Sequence, residues 1–465
     1  MAIPCLMLAS CSGGDSGQKK LILTLAPGSI KLSPDYLSGA SWRYLPGARI
    51  SVFTINKPDS HKILTKDFYS ACFPDISYDG KSIIFAGQRS ESDTWQIWEM
   101  ELGRGKYRQI TSSAEDCTDP AYLPGGKLVF SKRTINDTVK NSHCLYICNT
   151  DGSDLKQITF SPQSFFATSV LKDGRLLAIG TQTYPEKGEP AFMVMRPDGT
   201  KADMFYRNSE SQSDLLNPAC ETADGRIVFA ESGSGDHSGG ELVSVNYSRP
   251  LFTRKVLSGG NDGDFIFVLP FTENSLLVSY RQKNSDRYAL YEFDQSGSSV
   301  GRELTADPDY NIVDAAVAGP YQRPKKLPSE VDLQVKTGLI LCQDVNFHDH
   351  LFSNDHNSPV KAGRIEVLGV DSTYGIVNVE EDGSFYLKVI ADKPFRIRAL
   401  DENGNATGPA CSWLWLRPNE RRGCVGCHED PEFTPVNRVA FAIRKDPVII
   451  PVHITEVKEK IVELE

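Results

Sequence analysis

A turn doublet, then a basic or small residue and an apolar run, recurs five times in this chain. The copies are Asp79-Gly80-Lys81-Ser82-Ile83-Ile84-Phe85, Gly125-Gly126-Lys127-Leu128-Val129-Phe130, Asp173-Gly174-Arg175-Leu176-Leu177, Asp224-Gly225-Arg226-Ile227-Val228-Phe229 and a degraded Asn274-Ser275-Leu276-Leu277-Val278. They stand about 46 to 51 residues apart, the range of propeller blades. Each doublet predicts a two-residue hairpin loop, because Asp-Gly tolerates the positive φ angles such loops require. A second turn follows, as in Asp151-Gly152 and Asp198-Gly199, and the unit closes on Gln109-Ile110-Thr111, Gln157-Ile158-Thr159 or Glu303-Leu304-Thr305. Four short strands per unit make a propeller blade. The ends of the array agree with this. Residues 308 to 319 offer one inner strand before a proline-rich run, while Arg49–Thr54 and Lys62–Thr65 repeat the second half of a unit. A blade assembled from both chain ends would close the ring and leave no exposed edge. The expectation is an all-β chain with a six-bladed β-propeller over residues 41–332. An array of unrelated sandwich hairpins is the competing reading, and the shared ending and split unit speak against it.

The propeller segment carries no Gly-rich phosphate loop, Gly-x-Ser-x-Gly elbow or His-Glu-x-x-His helix. Its inner strands are expected to begin with Phe73-Pro74-Asp75, Thr118-Asp119-Pro120 and Asn217-Pro218. These polar residues either ring a ligand-binding mouth or serve as ordinary turn residues. Cys72 and Cys117 fall at equivalent places in neighbouring units. They could be disulfide-bonded, lie beside a cofactor, or be buried thiols.

From residue 333 the style changes to longer strands at Thr337–Val345, 363–370, 376–379, 384–389 and 395–400, separated by turns such as Glu381-Asp382-Gly383. Residues 333–465 thus read as a small β-sandwich-like domain. Its last strand, Ser412–Leu416, leads into Cys424-Val425-Gly426-Cys427-His428. This is the attachment motif of a c-type haem. Two thiols add to the two vinyl groups of one porphyrin, and the next histidine binds the iron as proximal ligand. Zinc would need a second ligand pair of similar spacing, and Cys144 and Cys148 have three residues between them. Period-two alternation turns Trp413 and Trp415 to one face, either as a haem wall or as core. Arg417, Arg421 and Arg422 are candidates to pair with the propionates, or are a solvated basic stretch. All methionines lie at or before Met204, so the distal iron ligand is sought among His350, His348 and His453, in that order.

The net charge of -10, without a sustained basic run, excludes nucleic acid as a partner. Residues 1–11 close on Leu8-Ala9-Ser10-Cys11 and resemble the lipobox of bacterial lipoproteins, with Cys11 as the lipidated residue, although no basic segment precedes the apolar run. Residues 12–40 then read as a linker, beginning with the flexible Ser12–Gly17. A lipid anchor and covalent haem both place the chain outside the cytoplasmic membrane, in the periplasm or at the cell surface.

Three stretches resemble the alpha subunit family of hydrazine synthase. They are Phe73-Pro74-Asp75-Ile76-Ser77-Tyr78-Asp79-Gly80-Lys81 with Trp95–Met100, Asp119-Pro120-Ala121-Tyr122-Leu123-Pro124, and Ala399–Gly404 with Arg417-Pro418-Asn419-Glu420-Arg421-Arg422 before Cys424. The resemblance implies a Tol-type propeller and one covalent haem c on Cys424 and Cys427, with His428 as proximal ligand. The family's synthase carries a second covalent haem as its reaction centre. This chain has one motif, taken to match the haem used for passing electrons, so hydrazine synthesis is not carried over. Three functions stay open: a mono-haem cytochrome whose propeller docks a redox partner protein or membrane complex, an oxidoreductase with an open iron site or propeller-mouth site, and a non-redox scaffold.

Overall fold

In the computed structural model the described residues are 19–28, 44–57, 60–208, 213–233, 239–347, 361–426 and 438–451. Six sheets form the blades of the propeller, and two more form the C-terminal module. The first blade runs Ser70–Ile76, Ser82–Gln88, Gln96–Glu101 and Lys106–Gln109 from the inside out. The next begin at Cys117, Gln163, Ser213 and Gly263, each with the same antiparallel order.

The closing blade takes its inner strand, Tyr310–Ala318, from late in the chain and its outer three from the front: Lys20–Pro27, Arg49–Thr54 and Lys62–Ile63. This corrects the domain boundary. Lys20–Pro27, inside the stretch read as linker, is a full propeller strand paired on both sides, so the propeller starts at Lys20. Its apolar run, buried from Leu21 to Ala26, is the signal that the linker reading passed over.

The recurring Thr has a specific job at the end of three units. The Oγ1 atoms of Thr65, Thr111 and Thr159 accept from the N–H of Ile50, Ile97 and Leu145 at 3.0, 2.9 and 2.9 Å. Ser258 Oγ does the same for Leu242 N at 3.0 Å. Each hydroxyl satisfies a buried donor on the third strand where the fourth strand stops pairing.

The doublet turns are longer than two residues. Ser77 N donates to Ser82 O at 2.9 Å and Gly80 N to Ser77 O at 2.7 Å, and only the glycine has positive φ, 71° at Gly80. Two of these glycines also admit the linker that follows the propeller. A Cβ on Gly80 would lie 2.4 Å from the carbonyl carbon of Gly319, and one on Gly174 2.1 Å from Lys325 O. The linker crosses the hairpin ends of three successive blades. Tyr321 N donates to Tyr78 O at 3.2 Å on the first, the Lys326 side chain lies over Gly125 on the second, and on the third Lys325 N donates to Lys172 O at 3.0 Å and Glu330 N to Asp198 Oδ2 at 2.7 Å.

The inner-strand polar residues sit in mid-strand bulges rather than at strand starts. Phe73, Asp119 and Ala167 occupy equivalent positions with φ of 54, 50 and 52°, where the ladder slips in all three blades. Asp75 accepts from Tyr122 N of the next blade at 2.7 Å and Asp119 from Ala167 N at 3.3 Å, while Asn217 donates to Ile266 O. They are blade-to-blade ties, a third possibility beside ligand mouth and turn.

The C-terminal module packs a four-stranded sheet, in the order Arg421–Cys424, Thr337–Cys342, Phe385–Ile390 and Val448–Ile450, on a three-stranded one, Thr373–Asn378, Arg364–Leu368 and Arg396–Leu400. Ile340, Ile365, Val367, Phe385, Leu387 and Ile397 fill the space between. Ser412–Leu416 is not a regular strand. It makes one bridge, Leu414 to Phe395. No helix among the described residues is long and apolar enough to cross a membrane.

Candidate functional site

The haem motif begins at the end of a strand. Arg421–Cys424 pairs in parallel with Thr337–Cys342, and beyond it Gln343 N donates to Cys424 O at 2.9 Å and Asp344 N to Val425 O at 3.2 Å. Gly426 then lies against Phe347, so closely that a Cβ would be 2.3 Å from Phe347 O. The residue after Phe347 is His348, and the one after Gly426 is Cys427. Residues far apart in sequence, the start of the segment 347–356 with its three histidines, His348, His350 and His356, and the first half of the motif, are thereby brought together.

A third segment reaches the same place. The Arg438 guanidinium donates to Gln343 O at 3.0 Å and Asp382 O at 2.8 Å, and pairs with Asp344 at 3.3 Å. Cys427, His428, His348, His350 and His453 lie outside the described residues, as does Cys11.

The described part suits covalent attachment. Cys424 is half-buried, with the module core behind it, and Gly423 beside it has no heavy atom nearer than Leu341 O at 4.0 Å from an ideal Cβ. The open space at Gly423 is on the other face of the strand, while the half-buried Cys424 side chain is held in position against the core. Cys424 and Cys427 would carry the haem and His428 would face its iron.

The other residues expected around it are divided by the fold. Arg421 is exposed and available to an anionic group. Arg422 is engaged by the nearly buried Glu420, which accepts from its Nη2 at 2.7 Å. Arg417 is buried against the propeller. Its Nη1 donates to Gln157 O at 2.9 Å, its guanidinium lies 4.7 Å from the centre of the Phe160 ring, and Asp392 pairs with it at 3.3 Å. Burial lowers its affinity for a proton, an effect that Asp392 opposes.

Trp413 and Trp415 are turned to the propeller as well. Trp415 joins Leu145, Ile158, Phe165 and Met195 in a propeller core cluster, and its indole N–H finds no acceptor among the described residues. Trp413 Nε1 donates to Tyr184 O at 2.6 Å. Their alternation is as expected, and the face they share is the domain interface.

Glu420, which sequence reasoning passed over, fixes the haem strand to the propeller. Its Oε1 accepts from Lys201 N at 2.8 Å, and its Oε2 from Arg417 N at 2.8 Å. A single glutamate between arginines carries no motif of its own, and only its burial, 3% exposed, marks it out.

Within the propeller, Cys117 is a free thiol, so it is not bonded to Cys72. Burial pushes its pKa up to about 12 and that of Cys144 likewise to about 12, which keeps both protonated and unreactive. Nearby, Tyr44 Oη and His143 Nε2 are 2.6 Å apart, and burial holds the His143 ring neutral, with a pKa of about 3. No group of three or more His, Cys, Asp or Glu among the described residues is arranged to hold a metal ion.

Comparison with known proteins places these features. A family profile described as the hydrazine synthase alpha subunit middle domain matches residues 348–429, from the histidine loop through the haem motif. Hydrazine synthase subunit alpha of Kuenenia stuttgartiensis is 24% identical over 512 residues, covering 83% of this chain and 63% of that protein. The chain therefore spans less than two thirds of its curated relative. The solved Kuenenia stuttgartiensis hydrazine synthase superposes with a TM-score of 0.77 at 21% identity, over 92% of this chain and 71% of the other. A TolB structure from Agrobacterium tumefaciens, at 13% identity over 66% of this chain and 94% of its own, gives a TM-score of 0.41.

Proposed function

Because the chain belongs to a hydrazine synthase alpha-like family, we propose that it is an exported mono-haem c-type protein that passes electrons, with its propeller as docking platform. The observation that carries this reading is the convergence at Cys424. The motif starts at a half-buried thiol on a strand clamped by Glu420, and the histidine loop sets out from the Phe347 that touches Gly426. When bound, the haem supplies a one-electron couple. Glu420 and Arg422 hold the attachment strand, Arg421 would offer its charge to a propionate, and His350 or His348 would offer an imidazole to the iron. The relative is named as a subunit, which supports a protein partner. That partner is a redox protein or membrane complex, met outside the cytoplasmic membrane by a chain anchored through Cys11.

The test is production in a host that matures cytochromes c. The expected product carries the mass of one haem and gives a low-spin, six-coordinate spectrum in both redox states. A chain without covalent haem would overturn the proposal, and a high-spin five-coordinate iron would remove the electron-transfer role.

One observation favours a second reading, an oxidoreductase with an open iron site. The profile that spans the motif describes the middle domain of a synthase subunit. On that reading the protein is high-spin and consumes peroxide, nitrite or hydroxylamine.

A further inference from the structure

The first thiol of the haem motif stands beside a thiol the motif does not contain. In the parallel pair of Thr337–Cys342 and Arg421–Cys424 the register runs without a slip through Leu339 and Arg421, Ile340 and Arg422, Leu341 and Gly423, to Cys342 and Cys424. Residues at one register position of neighbouring strands turn their side chains to the same face. Here that face is the module core: Cys342 belongs to it and Cys424 packs against it. Adjacent strands run about 4.8 Å apart, inside the roughly 4.4–6.8 Å between the Cα atoms of bonded cysteines. The hydrogen bonds from Gln343 N to Cys424 O and from Asp344 N to Val425 O lie just beyond, so the two residues do not stand at a frayed end.

Both cysteines are thiols in this structure. We propose that they close to a Cys342–Cys424 disulfide when the haem-free chain is oxidised, and that this bond withholds Cys424 from haem attachment until it is reduced. Cys424 is half-buried and Cys342 is 1% exposed, which sets the order of events. An external disulfide is attacked first by the Cys424 thiolate, releasing one thiol. The Cys342 sulfur then displaces the second thiol from the mixed disulfide. Two protons and two electrons leave the pair, and the external disulfide becomes two thiols. A dithiol reductant reverses both steps. Thioether formation adds S–H across a vinyl double bond, with sulfur on one carbon and hydrogen on the other, so it consumes a thiol and cannot proceed from the disulfide. The consequence for maturation rests on the reading of Cys424 as an attachment residue, whereas the bond itself does not.

The full chain, produced without haem attachment in an oxidising compartment, is unfolded in a thiol-blocking reagent without reduction and mapped by mass spectrometry. A peptide linking Cys342 to Cys424, with Cys427 blocked, is expected. Blocked Cys342, or a link from Cys424 to Cys427, overturns the proposal. Haem loading of Cys342→Ala and Cys342→Ser is then compared with wild type, with and without excess dithiol. Severalfold higher loading of the variants without dithiol, and equal loading with it, is expected. Two substitutions separate the lost thiol from a packing defect, since alanine removes the polar group that serine buries. Equal loading without dithiol overturns the gate. A wild-type chain that takes no haem even with dithiol overturns the attachment reading and the gate together, while the peptide map still decides the bond.

Discussion

Lys201 N, on a propeller blade, donates to Glu420 Oε1 at 2.8 Å, and the same oxygen takes Arg422 Nη2 at 2.7 Å. One carboxylate thus joins the propeller backbone to the strand that ends in the haem motif. Its side chain is 1% exposed and that of Arg422 12%. Removing it takes away the carboxylate hydrogen-bonded to a nearly buried guanidinium and leaves only the charge of Asp203 near it, which costs up to about 3–5 kcal/mol. Glu420→Ala is expected to loosen the module from the propeller, seen as a separate, earlier thermal transition and faster proteolysis in the linker at 319–336. Glu420→Gln keeps an acceptor for Lys201 N and should lose less.

Trp415 contributes packing alone. Trp415→Ala should lower stability by about 3–5 kcal/mol, measured by denaturant unfolding, and leave the spectrum of attached haem unchanged, because its contacts are with propeller residues. Trp413→Phe loses the bond to Tyr184 O and about 1 kcal/mol. A shifted haem spectrum in either variant would restore these indoles to the haem wall.

Two buried groups make stability depend on pH in opposite senses. His143 has its pKa lowered from 6.5 to about 3 by burial, so the unfolded chain binds a proton that the folded chain refuses. Its contribution is full above pH 6.5 and is lost as pH falls towards 3, about 5 kcal/mol at most. Asp75 has its pKa raised from 3.8 to about 6, also by burial. Its contribution is full below pH 3.8 and is lost as pH rises through 6, about 3 kcal/mol at most. Between pH 3.8 and 6 the two slopes are equal and opposite, so stability is nearly flat there. Asp75→Asn should uncover a fall towards acid, and His143→Gln a rise towards acid, in unfolding measured from pH 4 to 7.

The threonine that ends three of the units should be worth a hydrogen bond to the blade. Thr111→Val replaces the hydroxyl by a methyl group and leaves Ile97 N without its acceptor at 2.9 Å. A loss of about 1–3 kcal/mol is expected, and Thr159→Val, which strands Leu145 N, should match it. Denaturant midpoints check both.

Membrane attachment through Cys11 predicts that Cys11→Ala moves the protein from the membrane fraction to the soluble one. An unchanged distribution on fractionation would remove the anchor.

Period and chemistry were legible in the sequence. The recurring turns dictate four-stranded units, because hairpins at constant spacing can bury their apolar faces only against copies of themselves. The split final unit follows from the need to remove edges. The Cys-x-x-Cys-His spacing is local chemistry and needs no fold to be read. What tertiary structure alone decided is where long-range partners meet. Lys20–Pro27 is a blade strand only because Tyr310–Ala318 returns beside it, and Asp75 ties blades only because a bulge aims it at Tyr122 N. Trp413, Trp415 and Arg417, three to seven residues before Glu420, face the propeller, a choice that alternation cannot make since it separates faces without naming them. Phe347 beside Gly426 and Cys342 beside Cys424 depend on register between strands some eighty residues apart, and register is set by how two sheets bury a common core.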